Sequence, residues 1–183
     1  MTAHPPCAIV MGVSGSGKST IGAALAQATG LTFIEGDDVH PEDNKAKMAA
    51  GVPLGDDDRA PWIADLAALI RAELAAGHGV VVACSALRHH YRDQFTAEAP
   101  ELVFIHLSGP LDLIASRQAG RDHEYMPKSL LASQFATLEP PGEDERHVEI
   151  DVSQTPDTIV RHLISTLPEF AGLATKETET HRR

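Results

Sequence analysis

Short apolar runs alternate along this chain with longer stretches of helical periodicity. The runs fall at 7–12, 32–35, 79–84, 102–107 and 147–152, each rich in Val, Ile, Leu or Phe and none cleanly alternating. Strands covered on both faces read this way, because neither face has to be polar. Helical patterns occupy 18–29, 42–50, 60–76, 88–97, 111–119, 128–138 and 156–167. Gly30 and Gly77 stand where a glycine would stop a helix, and Thr155-Pro156 reads as an N-cap with proline at the first helical position. Strands alternating with helices predict right-handed crossovers: an α/β fold with a five-stranded parallel sheet and helices on both faces. Residues 1–170 are expected to form one domain, and 171–183 a polar, disordered tail.

Composition narrows the function without naming it. A chain of 183 residues with 43% apolar and 22% charged residues has the balance of a soluble globular protein. A net charge of −11 argues against a broad nucleic-acid-binding face, which needs clustered positive charge. Cys7 and Cys84 form no CxxC pair, so a reduced protein is expected. The first residues lack the basic and apolar regions of a signal peptide, and no apolar run approaches the roughly 20 residues of a membrane span. The expected compartment is the cytoplasm, with neither membrane nor nucleic acid as partner.

The first apolar run leads straight into chemistry. Gly12-Val13-Ser14-Gly15-Ser16-Gly17-Lys18-Ser19 satisfies GxxxxGK[ST] at every fixed position, between a strand pattern and a helical one. Glycines let successive N–H groups turn inward as an anion nest, and the helix start adds unpaired donors and a positive dipole end. Residues 12–20, ending with Thr20, are therefore assigned to a nucleotide, more readily ATP than GTP. Lys18 is assigned to the β- and γ-phosphates and the Ser19 hydroxyl to Mg²⁺. The guanine-reading NKxD and the DxxG of switch GTPases are both absent.

In open α/β sheets, ligands meet the carboxyl ends of the strands. After the second run comes Glu35-Gly36-Asp37-Asp38-Val39-His40, where one carboxylate can orient or deprotonate a substrate hydroxyl. Then comes Gly55-Asp56-Asp57-Asp58-Arg59-Ala60-Pro61-Trp62, in which one aspartate is free to cap the following helix and Arg59 to face an anion. After the third run, Ser85 precedes Arg88 and Arg92, which share a helix face at i, i+4; simple surface charge accounts for them equally well. The histidines show no zinc-ligand spacing, Trp62 reads as a packing anchor, and Cys84 as a small buried residue.

Taken together, "GVSGSGKST", "EGDDVHP", "KMAAGVPLGDDDRAPW", "CSALRHHYRD" and "SQFATLEPP" resemble the gluconate kinase (gluconokinase) family, in family order from about residue 8 to about residue 160. The resemblance implies a P-loop, nucleoside-monophosphate-kinase-like three-layer fold with a mobile lid at about 116–134. It implies ATP-dependent transfer of a phosphoryl group, with Mg²⁺, to the 6-hydroxyl of D-gluconate. It places Asp37 and His40 in the gluconate pocket, with Lys47 and Arg59 as partners of the acid and Ser85 and Arg88 on the loop that closes the site. Arg117 and Arg121 match the lid arginines, which fold over the phosphates and stabilise charge in transfer. Here the chain departs from the commoner RxGHFMP pattern, reading Arg121-Asp122-His123-Glu124-Tyr125-Met126-Pro127. The family also suggests a homodimer. Two alternatives stay open: a shikimate- or nucleotide-type kinase, and an ATP-binding regulator without turnover. Shikimate kinases usually carry a Gly-Gly-Gly turn where this chain has Cys84-Ser85-Ala86, and a regulator would be free to lose Asp37 and the lid arginines.

Overall fold

The computed structural model describes residues 5–119 and 128–173. Five strands, β1 (Cys7–Met11), β2 (Thr32–Glu35), β3 (Val80–Ala83), β4 (Val103–Ser108) and β5 (His147–Asp151), form one parallel sheet in the order β2-β3-β1-β4-β5. Between them run α1 (Lys18–Thr29), α2 (Glu42–Ala49), α3 (Asp56–Ala75), α4 (His89–Glu98), α5 (Leu111–Ala119), α6 (Lys128–Thr137) and α7 (Pro156–Thr166), with short 3₁₀ turns at Gly36–Val39 and Pro168–Phe170.

The central strand explains why the apolar runs lacked alternation. Every residue of β1 is buried, and successive side chains go to opposite layers. Ala8 and Val10 join a core with Ile21 and Leu25 of α1 and Ile159 and Leu163 of α7. Cys7, Ile9 and Met11 join a second core with Trp62, Leu66 and Ile70 of α3 and Tyr91 and Phe95 of α4. Both faces are dry, so both parities are apolar. The same burial pushes the thiols of Cys7 and Cys84 up to about 12, which makes them inert packing groups.

The expected helix ends hold. Gly30 closes α1 at φ +71° with its N–H on the Ala26 carbonyl, Gly77 follows α3 at φ +81°, and Thr155 Oγ1 accepts from Thr158 N–H at 3.3 Å. The start of α3 is a correction. It begins at Asp56, not at residue 60, because three consecutive aspartates in the first turn favour the positive helix end. Asp58 Oδ2 accepts from Gly55 N–H at 3.0 Å, so an aspartate does cap this helix, from inside its first turn. No helix among the described residues is long and apolar enough to cross a membrane.

Candidate active site

The loops that leave β1, β2 and β3 meet at the carboxyl edge of the sheet. A cleft of about 490 Å³ opens there, lined among others by Ser14, Lys18, Asp37, His40, Arg59 and Arg88. Trp62 and Ser85 also border it. Residues read from four separate segments are thus brought to one cavity.

The glycine-rich loop reaches the cleft because its backbone is tightly seated. Gly12 has φ +140°, and a Cβ there would lie 2.7 Å from the Leu107 carbonyl oxygen. Its N–H donates to Ser85 O at 3.3 Å, which ties the loop after β1 to the loop after β3. Lys18 Nζ donates to Val13 O at 3.1 Å, so the ammonium lies over its own loop. Ser14 N–H donates to Gln134 Oε1 of α6 at 2.6 Å. A carboxamide oxygen therefore occupies a donor of the kind the loop offers to a phosphate. Sequence reading passed over Gln134, although "SQFATLEPP" contains it. The Ser19 hydroxyl lies near the Glu35 carboxylate at the end of β2, and burial outweighs its lowering influence to raise the Glu35 pKa above the ordinary carboxylate value. A hydroxyl beside a carboxylate is a hard-oxygen donor set, which fits Mg²⁺.

On the other wall, Gly36 is pressed against β3; a Cβ would come within 2.3 Å of the Ala83 carbonyl oxygen. This contact fixes the 3₁₀ turn that carries Asp37 and Asp38. Asp37 lines the cleft and Asp38 does not. The 3₁₀ turn sends the two neighbouring side chains in different directions. His40 is 5% exposed, stacked on Trp62 with ring centroids 4.0 Å apart, and its Nε2 lies 3.9 Å from Asp37 Oδ1. Burial holds its pKa below the ordinary histidine value, against the pull of Asp37; the nearby Arg59 and Lys45 cations lower it further. Trp62 is buried and donates from Nε1 to Gly36 O at 2.7 Å, so the packing anchor also braces the turn.

The three aspartates of α3 hold cations in place. Lys47 Nζ meets Asp58 Oδ1 at 2.6 Å and does not line the cleft, so its charge is committed to the helix start. Hydrogen bonding from Lys47, then from Gly55 N–H, lowers the Asp58 pKa. Asp56 accepts from the Tyr91 hydroxyl, which is the main reason its pKa falls, and from Arg88 Nη1 at 3.1 Å. Arg59 remains on the cleft wall beside Tyr91.

Arg92 departs from the surface-charge reading. It is 1% exposed and grips Glu145 with Nε–Oε1 at 2.5 Å and Nη2–Oε2 at 2.9 Å. Nη1 donates to Ala86 O at 3.0 Å, and Ala86 is the one described non-glycine residue at positive φ, +42°. The face shared with Arg88 turns into the protein one helical turn later. Its pair buttresses the strained loop that carries Ser85. Removing one partner of such a buried pair typically costs about 3–5 kcal/mol.

A second cavity of about 290 Å³ lies on the far side of the P-loop, against Gly15, Gly17, Thr20, Arg117, Val152 and Gln154. Arg117 Nη2 donates to Val152 O at 2.5 Å, and Arg117 borders this cavity but not the first. Arg121 and the whole departing motif at 121–127 lie outside the described residues, as does the tail from 174. Gln154 and Ile159 carry no chemical motif of their own, and sequence reading gave no reason to single them out.

Comparison with known proteins agrees with this geometry. A family model described as an AAA domain matches residues 8–141. The gluconokinase of Gluconobacter oxydans is 43% identical over 164 residues, covering 90% of this chain and 92% of that protein. A crystal structure of a gluconokinase from Sinorhizobium meliloti superposes with a TM-score of 0.80 at 46% identity, covering 93% of this chain and 94% of the other. An unliganded sugar kinase from Janibacter superposes at 0.87 with 41% identity, over 93% and 99% of the two chains.

Proposed function

The chain belongs to the gluconokinase family and phosphorylates gluconate, and we propose that the acceptor is the 6-hydroxyl of D-gluconate, held beside Asp37 and facing the γ-phosphoryl group of ATP. The observation that carries this reading is the shared cleft, with the phosphate-binding loop and Lys18 on one wall and Asp37, His40 and Arg59 on the other. The nucleoside end fits the second cavity, where Ile21, Val152 and Ile159 offer apolar surface beside Arg117. On nucleotide binding, a phosphate oxygen replaces the Gln134 amide oxygen at Ser14 N–H. Mg²⁺, held through Ser19, supplies charge neutralisation on the phosphates.

Arg59 grips the sugar-acid carboxylate, since a guanidinium presents two parallel donors to it. Asp37 aligns the 6-hydroxyl toward phosphorus and accepts its proton as transfer proceeds. Lys18 swings from the Val13 carbonyl to the transferring phosphate. An ADP-release assay over gluconate, shikimate and nucleoside monophosphates tests the acceptor: turnover with gluconate well above the others is expected. Preferred turnover of another acceptor would overturn the reading, as would ATP binding with no turnover on any.

A further inference from the structure

A residue with no assigned role controls what His40 can do in the acceptor pocket. Asn44, on α2, is 3% exposed and its Nδ2 donates to Asp58 O at 2.7 Å. That bond fixes the orientation of the carboxamide. Turned over, its oxygen would face a carbonyl oxygen at hydrogen-bond distance, leaving two acceptors opposed and no donor between them. With the amide so fixed, the second Nδ2 proton is directed at His40 Nδ1, 3.4 Å away. A nitrogen that receives a proton there must present its lone pair. In a neutral imidazole the other nitrogen then carries the hydrogen.

We propose that Asn44 is a positioning residue that holds His40 as its Nε2–H tautomer, making it a fixed donor beside the Asp37 carboxylate. The consequence lies in the spacing of that donor and Asp37 Oδ1, 3.9 Å apart, too far for a direct hydrogen bond. One substrate hydroxyl fits against both. It accepts from His40 Nε2–H and donates its single proton to Asp37. With the other tautomer the hydroxyl would face two acceptors with one proton, and one contact would be repulsive. The tautomer thus selects a hydroxyl at this point and orients its proton toward Asp37. Trp62 stacks on one face of the ring, and the charged groups around it are Asp37, Arg59 and Lys45.

The kinetic part of this proposal rests on the gluconate reading above; the tautomer does not. Long-range ¹H–¹⁵N correlation on the wild-type protein at neutral pH reads the tautomer directly. A protonated Nε2 with an unprotonated Nδ1 at His40 is expected, and an Nδ1–H or doubly protonated ring would overturn the proposal. In the second arm, Asn44→Asp presents an acceptor to Nδ1 and reverses the preference, and Asn44→Ser serves if that variant does not fold. The gluconate KM should rise about tenfold or more, as for loss of a hydrogen bond to a polar substrate group, with the ATP KM within about twofold. A variant that only lowers the folded fraction would reduce kcat at unchanged KM. That outcome, or a parallel rise in both KM values, would leave Asn44 a structural residue and sink the positioning role. Absence of gluconate turnover in the wild type would remove the function reading while the resonance result stands.

Discussion

The two walls of the cleft are built by opposite strategies. The proposed nucleotide wall is contiguous: residues 12–20 offer backbone N–H groups, and glycine is needed where the loop is packed too closely for a Cβ. The acceptor wall is assembled from the turn after β2, the helix pair α2 and α3, and the loop after β3. Its side chains are held by paired charges, Lys47 with Asp58, Arg88 with Asp56 and Arg92 with Glu145. A phosphate presents the same oxygens in every nucleotide, so a backbone nest serves. A sugar acid is distinguished by the placement of hydroxyls and one carboxylate, which calls for side chains fixed individually. Damage to the first wall should therefore impair transfer, and damage to the second should impair acceptor recognition.

Lys18→Ala should show the largest effect. If its ammonium gains contact as charge builds on the moving phosphoryl group, as proposed, loss of that donor should lower kcat by roughly 10²–10³. The ATP KM should change far less, and steady-state kinetics decides. Unchanged turnover with only a raised ATP KM would place Lys18 in ground-state binding.

Arg59→Lys sharpens the contrast from the other side. An ammonium cannot reproduce the two-pronged grip on a carboxylate, so the gluconate KM should rise at least several-fold, on the order of 1–3 kcal/mol for a charged hydrogen bond. The ATP KM should stay put. A shift confined to ATP would move Arg59 to the nucleotide wall.

How much of this was legible in the sequence follows the same division. The P-loop, the strand–helix order and the caps at Gly30 and Thr155 are local patterns, and local patterns can be read from one chain. The long-range pairs are not local: Arg92 meets Glu145 across 53 positions and Ser14 meets Gln134 across 120. Nothing in the spacing of Arg88 and Arg92 tells which of the two turns inward. The family resemblance assigns Lys47 to the acid; its pairing with Asp58 of α3, eleven positions away, is not legible in the spacing. The helical pattern of α3 is placed from residue 60 in the sequence because the aspartates before it read as a cap, whereas they already form its first turn.

The smallest expected effect is on stability. Burial holds both His40 and His106 below the ordinary histidine value, His106 in the middle of β4. In the unfolded chain these rings take up protons as pH falls through about 6.5, while the folded rings resist. The unfolded state then binds more protons, so this stability is full above about pH 6.5 and is lost as pH falls toward the folded values. His89 works the other way, since Asp93, Glu145 and Asp144 outweigh its burial and raise its pKa. The urea midpoint should fall between about pH 7.5 and about pH 5.5, and His106→Gln should make that fall shallower. An unchanged slope in the variant would show that His106 plays no part.

The central claim, that one carboxylate of the turn after β2 faces the acceptor hydroxyl, is tested most directly by kcat of Asp37→Asn and Asp38→Asn side by side. Both residues are exposed, so both variants should fold. Loss of proton acceptance and alignment should lower kcat of Asp37→Asn by about 10²-fold or more, with Asp38→Asn near wild type. The reverse ranking, or equal large losses at both positions, would contradict the assignment of Asp37 to the 6-hydroxyl.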